Sequence, residues 1–305
     1  MTPREKLQQG LRIPAIAAPM FLVSGPDMAI AACRAGIIGS FPANNARTLD
    51  VLDEWMIRIK AEIPADGPAW AVNIMVHPTY ARLRDEMALV MKHQPPVVIT
   101  ALGSPAPIVQ AVQSYGGIVL ADVNSLKHAR KAASIGVDGL VLVAAGAGGH
   151  TGQIAGFAFA PAVREFFDGI IVLGGGIGTG QAVRAAATLG ADFAYLGTRL
   201  IACGESLADP AYKQMLIEAT AEDIVCSAAL TGAYANWLRP SLIAAGYDPD
   251  QMGEKAQMNL GAPEDAAAKR WRDVWSAGHG VGGVKAVEPL GVIVEGLAAE
   301  YGRAG

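Results

Sequence analysis

Cysteine is scarce in this 305-residue chain. Cys33, Cys203 and Cys226 are odd in number and far apart, so they suggest neither a disulfide framework nor a metal-ligand cluster. The expectation is three buried thiols in a reducing cytoplasm. The five histidines are equally dispersed, and no metal site is implied. No basic tract appears and the net charge is −4, which argues against nucleic acid as the main partner. Mean hydropathy is +0.31, yet no uninterrupted apolar run reaches the ~20 residues of a membrane-spanning helix. The opening stretch, Met1 to Gly10, is polar and mixed in charge, unlike a signal peptide. A cytoplasmic location without membrane contact is therefore expected.

What the chain does have is apolar mass and glycine. Hydrophobic residues make up 52% and charged residues 17%, enough for a large core. Short apolar runs alternate with helical patterns. The runs lie at 15–18, 37–40, 69–73, 97–100, 118–122, 139–143, 170–173 and 193–196. Helical patterns fall between them at 26–35, 49–62, 79–92, 106–115, 126–135, 161–167 and 181–189, with Ser125 a plausible N-cap for the fifth. Eight such units predict an α/β fold, a closed (β/α)8 TIM barrel with parallel strands; an open doubly wound sheet is the alternative. The barrel is expected over 1–220. Residues 221–282, with Trp237, Trp271 and Trp275, show no strand alternation and read as a small, mostly helical inserted domain covering one end. Residues 283–305 would return to the barrel as a closing helix.

Active sites of such barrels lie at the C-terminal ends of the strands. That rule gathers Met20, Asn44, Asn73, Thr100, Asp122, His150, Gly175, Gly176, Gly197 and Thr198. Two stretches stand out. Gly146 to Gly152 reads Gly-Ala-Gly-Gly-His-Thr-Gly, four glycines around one histidine after a buried strand. Such a histidine suits proton transfer beside a flat ligand; it would equally serve as a loop side chain facing water. The glycines after strand seven and the Gly197-Thr198 pair after strand eight suit a phosphate held by backbone N–H groups. The bland reading is that they make tight turns. Pro19-Met20 would offer backbone groups and an apolar face to a ring, or simply pack in the core. Asn73 would bind a ligand heteroatom or loop backbone, and Asp122 a ligand hydroxyl or its own turn. Ser276 to His279 would bring a loop back to the mouth, with His279 either structural or functional.

These landmarks resemble a known family. Ala18-Pro19-Met20, Ala147-Gly148-Gly149-His150-Thr151-Gly152, Gly174 to Gly176, Leu196-Gly197-Thr198-Arg199 and Trp275-Ser276-Ala277-Gly278 occur in the same order in the nitronate monooxygenases. The resemblance implies FMN as cofactor. Gly175, Gly176, Gly197 and Thr198 would hold its phosphate. Pro19, Met20, Asn73, Thr100, Asp122, Gly148, Gly149 and Ser276 complete the expected cofactor contacts. His150 would be the catalytic residue that handles the substrate proton. The implied reaction oxidises alkyl nitronates with O2 to carbonyl compounds and nitrite. Its partners are a small-molecule substrate and O2, with a homodimer as the assembly allowed for. NAD(P)H-dependent FMN reductases of quinones or enoyl thioesters look similar and form the alternative; a non-enzymatic flavin or metabolite sensor is a third reading. Two positions depart from relatives. Asp122 aligns where quinone reductases often carry lysine, and His279 stands where relatives have glutamine or another residue.

Overall fold

A computed structural model describes residues 1–254 and 272–304. Eight parallel strands form one sheet: β1 (Ala15–Ala17), β2 (Gly39–Pro42), β3 (Trp70–Met75), β4 (Val97–Ala101), β5 (Ile118–Val123), β6 (Gly139–Val143), β8 (Ile170–Gly174) and β9 (Phe193–Leu196). The order is β1-β9-β8-β6-β5-β4-β3-β2, and a parallel bridge between Ile16 and Ile38 joins the two ends. The sheet therefore closes on itself as a TIM barrel, and the open doubly wound alternative falls away. The strands are short, apolar runs because both faces are covered, the inner by the barrel core and the outer by helices.

Alternation along each strand decides what fills the barrel. Ile16, Ala71, Val97, Ile99, Ile118, Leu120, Val141, Ile170, Val172 and Phe193 form one buried cluster, and Leu7 from the N-terminal helix Pro3–Leu7 belongs to it. Those are the inward-facing positions. Continuing by twos, Asn73, Asp122 and Tyr195 project inward at the C-terminal end, above the last apolar layer. The functional end of the barrel is thus the layer where the inward residues turn polar.

The outer helices mostly match expectation. Pro26–Ala35, Leu49–Glu62 and Leu126–Ile135 keep the expected bounds, and Ser125 caps the last through His128 N–H. Strand β2 starts two residues late. Gly36 turns left-handed (φ 93°) and Ile37 N–H returns to Ala32 O, which uses those residues to close the preceding helix. The helix expected at 161–167 begins at Gly156 and carries Pro161 inside it.

The cover region differs more. Within 221–282 the described chain forms two strands, β10 (Ile224–Ser227) and β11 (Ala235–Leu238), the short α-helix Arg239–Ala244, and 3-10 turns at Ala221–Asp223 and His279–Gly283. Strand β11 pairs antiparallel with β10 on one side and with β7 (Gly149–His150) on the other. The reading of this region as free of strands is therefore corrected. Four-residue strands show too little alternation to be seen, and the β7 partner lies about 85 residues away. Trp271 and residues 255–265 of the polar segment running from Asp248 to Asp265 lie outside the described residues. Cys33 and Cys203 are buried, but Cys226 is exposed, because β10 is the edge strand and its third residue faces outward. No helix among the described residues is long and apolar enough to cross a membrane.

Candidate active site

A cavity of about 1950 Å³ opens at the C-terminal end of the barrel. Its floor is the polar inward layer, its walls are the loops after the strands, and its roof is the small sheet. Strand β11 ties the roof together. It holds His150 in register with Ala235, while an antiparallel bridge joins Trp237 to Ser276 and Leu238 N–H donates to Trp275 O. Buried Asn236 locks the histidine loop: its Nδ2 donates to Ala147 O at 2.8 Å, and Thr151 N–H donates to Tyr234 O at 2.9 Å. His150 consequently stands on a paired strand rather than a free loop. Burial lowers its pKa below the usual 6.5, so the imidazole is neutral at neutral pH.

Two glycine turns pack against the histidine loop: a Cβ on Gly148 would lie 3.2 Å from Thr198 Oγ1, and one on Gly175 3.0 Å from Ala145 O. Gly175 (φ 127°) and Gly176 (φ 73°) sit in backbone conformations that favour glycine. Gly197 is different. A Cβ there would meet only Met20 Sδ at 3.6 Å and Ala18 Cβ at 3.9 Å, so packing within the chain does not require glycine. Gly197 precedes, and Thr198 opens, a four-residue helix, so their N–H groups have no intrahelical acceptor. Thr198 Oγ1 accepts from Gly278 N–H at 2.8 Å and is thereby oriented. Gly176 N–H already donates to Gly146 O (3.2 Å), which removes it from the expected set of phosphate donors and leaves Gly175, Gly197 and Thr198.

Several expected positions line the cavity: Pro19, Met20, Asn73, Asp122, Gly149 and Ser276. Gly148 does too, but its need for glycine comes from the chain. A Cβ there would lie 2.8 Å from Gly278 N and 3.0 Å from Ala277 C. Met20 does not offer its backbone to a ligand. Its N–H donates to Ser24 Oγ (3.0 Å) and its carbonyl accepts from Asn45 Nδ2 (2.9 Å), leaving only the side chain for contact. Thr100 is not brought to the cavity. It alternates outward from Ile99 and Ala101, and its Oγ1 donates to Leu120 O (3.4 Å). His279 lies behind Gly146 rather than in the cavity lining, with its N–H bonded to Gly146 O (2.9 Å).

Three residues were missed. Asn45 secures the Met20 turn, also accepting from Leu22 N–H at the strained φ of 60°. Asn236 carries no local signal. Tyr195 does: it follows Phe193 by two in a strand that ends in Gly197, which places it inward beside the turn. Asp122 Oδ1 is inaccessible to solvent, and burial raises the carboxyl pKa to about 7. The Tyr195 hydroxyl is equally inaccessible, and its pKa rises through burial and the neighbouring Asp122 charge.

A TIM barrel whose strand ends bring glycine turns and a part-buried histidine to one large cavity is the frame of an oxidoreductase. The family model for nitronate monooxygenase matches residues 67–260, and the chain belongs to that family. It is 29% identical over 282 residues to a nitronate monooxygenase of Paraburkholderia phytofirmans, covering 79% of this chain and 77% of that one. It is 27% identical over 237 residues to an indene-carboxyl-CoA dehydrogenase of Mycobacterium tuberculosis, covering 77% of this chain and 65% of that one. Among solved structures, a nitroalkane oxidase from Streptomyces ansochromogenes superposes with a TM-score of 0.82 at 25% identity, over 99% of this chain and 98% of that one.

Proposed function

We propose that the chain binds FMN in this cavity and oxidises alkyl nitronates with O2 to carbonyl compounds and nitrite, accepting neutral nitroalkanes once their α-proton is removed. The observation that carries the reading is the meeting, at one cavity, of His150 with N–H groups at Gly175, Gly197 and Thr198 that have no backbone acceptor among the described residues. The residues present fit a flavin nucleotide. Gly197 leaves space for close approach, the amide set is neutral and suits an anion, and the floor carries buried polar atoms without partners among the described residues.

In this reading the Gly175, Gly197 and Thr198 N–H groups hold the phosphate, and the Thr198 hydroxyl, oriented by Gly278, donates to it. The Met20 side chain packs against the ring. Asn73 donates through Nδ2 to Ile99 O (3.2 Å), which leaves its Oδ1 to accept from a ring N–H. Bound there, a flavin supplies the electron acceptor, with O2 as the final oxidant. His150, part-buried and held neutral by desolvation, takes the α-proton of a nitroalkane on an imidazole nitrogen; a nitronate arrives without that proton and needs only positioning. The cover sheet limits water access to the reacting carbon.

The size of the cavity favours one further reading. At about 1950 Å³ it exceeds the ~300–1,000 Å³ of an ordinary small-ligand pocket, leaving room for a nicotinamide or an acyl thioester. Anaerobic mixing separates the two. The account expects a yellow protein bleached by nitronate and not by NADH or NADPH, with nitrite released on admitting O2. Rapid bleaching by a nicotinamide, without nitrite from nitronate, would give the site to an NAD(P)H-dependent reductase instead.

A further inference from the structure

Three non-glycine residues among the described ones sit in the left-handed region: Leu22 (φ 60°), Gln94 (φ 52°) and Leu102 (φ 57°). Gln94 has a local reason, because it closes the helix Leu83–His93 with its N–H on Val90 O. The two leucines end no helix. In that region Cβ crowds the backbone, and leucine lacks the short polar group that eases the strain for asparagine or aspartate. Glycine would take both turns freely. Both leucines line the cavity, both are half-buried, and neither belongs to an apolar cluster of the core. Strained positions persist only where the surrounding structure enforces them, and they gather at ligand-binding sites.

Asn45 enforces the first turn. Its Oδ1 accepts from Leu22 N–H (2.8 Å), while its Nδ2 donates to Met20 O (2.9 Å) and Ser24 O (2.7 Å). The second turn follows directly on β4, whose last residue, Ala101, accepts from Val76 N–H at 3.0 Å. Around the ring, Leu22 follows β1 and Leu102 follows β4, three strands apart. Gly175 and Gly197 follow β8 and β9, and the histidine loop follows β6. The leucines therefore border the cavity on the arc that the glycine turns and the histidine loop leave free. Arg47 and Arg82 line the same arc. Arg82 is committed within the chain: its Nε pairs with buried Glu86 (3.2 Å) and its Nη2 donates to Ala46 O (2.9 Å). Arg47 is exposed and forms no ion pair among the described residues, so nothing fixes its charge in place. The side chains that the fold does fix on this arc, at a cost in strain, are apolar.

We propose that Leu22 and Leu102 form an apolar clamp on the hydrocarbon part of the substrate, so that the site selects longer, uncharged alkyl nitronates over short or charge-ended ones. The inference rests on the nitronate reading above and deepens it by naming the substrate class and two specificity-determining residues.

The test is a chain-length series. Holoprotein is assayed in air for nitrite release from the nitronates of nitroethane, 1-nitropropane, 1-nitrobutane and 1-nitrohexane. A carboxylate-ended nitronate matched in length to 1-nitrobutane is the charged probe. Leu22→Ala and Leu102→Ala, alone and together, remove the side chains. Leu22→Gly and Leu102→Gly remove them and relieve the turns, which keeps the comparison available where an alanine variant folds poorly. Burial of one methylene corresponds to about a 4-fold gain in binding. In the unaltered protein kcat/KM should rise about 3- to 4-fold per methylene, mainly through KM, and the carboxylate-ended probe should be the poorer of its matched pair. In the paired variants the rise should fall below about 2-fold per methylene, with a loss that grows with chain length. Each glycine variant should melt above its alanine counterpart, because glycine takes positive φ without strain. A flat series in the unaltered protein, an equal loss at every chain length, preference for the carboxylate-ended probe, or alanine melting above glycine overturns the clamp and leaves the nitronate reading intact. Absence of nitrite from every nitronate overturns both.

Discussion

The two walls of the cavity are built from different materials. The glycine wall, proposed to hold the anion, is backbone: Gly175, Gly197 and Thr198 present N–H groups, and their positions follow from the strand ends that carry them. The histidine side and the floor are side chains: His150, Asn73, Asp122 and Tyr195, set by contacts that cross the fold. A backbone wall tolerates most side-chain changes and fails when a Cβ intrudes. A side-chain wall keeps its shape under substitution and loses chemistry. That contrast makes the consequences of substitution on each side predictable.

The largest expected effect lies on the side-chain wall. His150→Asn should retain FMN and its spectrum but lower kcat/KM for a neutral nitroalkane by roughly 100- to 10,000-fold, with little change for the corresponding nitronate. Burial depresses the imidazole pKa, so the proton-accepting form persists below pH 6.5. The nitroalkane reaction of the unaltered protein should therefore hold its rate as pH falls through 6.5 and decline only further down. Steady-state kinetics on the two substrates, across pH, measure both effects. Equal losses on both substrates would move His150 from proton transfer to positioning.

Next comes the floor. Asp122 has a carboxyl pKa raised from 3.8 to about 7 in the folded chain. A raised acid binds its proton in the folded state where the unfolded chain has lost it. The folded chain is thus penalised as pH rises from about 4 through about 7, and the penalty is constant above that. It reaches on the order of 4 kcal/mol. Asp122→Asn should remove this pH dependence from the apoprotein, so that its advantage over the unaltered chain grows between pH 4 and 7 in denaturant melts. A constant difference across that range would place the ionised carboxylate in a solvated setting.

The packing of the histidine loop against the backbone wall is probed by Gly148→Ala. Its Cβ would meet the Gly278 and Ala277 backbone, which cannot rotate away. The expected cost is about 1–3 kcal/mol in thermal stability, with weakened FMN retention because Gly278 orients Thr198. The smallest effect belongs to Asn236→Ala, which frees Ala147 O from its side-chain donor. About 1 kcal/mol of stability and a several-fold fall in nitroalkane turnover are expected, with the nitronate rate less affected.

How much of this was legible in the sequence follows the same division. The eight strands and most helices could be read because each is a local pattern of apolar residues and caps. The glycine turns at the cavity could be read because they adjoin the strands in sequence. Gly176 looked equivalent to Gly175, and only the folded turn shows its N–H committed to Gly146. Thr100 was placed at the site by strand position alone; alternation with Ile99 sends it outward. The roof was not legible. Its centre is the pairing of Ala235 with His150, between strands too short to show a period and some 85 residues apart. Asn236 belongs to that pairing and has no other signature. Tyr195 was within reach, since Phe193 fixes the inward parity of β9.

The central claim is that the anion wall and the imidazole wall hold the two ends of one ligand. A crystal structure of the protein grown with FMN tests it most directly. The account predicts the phosphate within hydrogen-bond distance of the Gly175, Gly197 and Thr198 amides, and the flavin ring across the cavity facing His150. A phosphate lodged elsewhere, or a ring held away from His150, would contradict it.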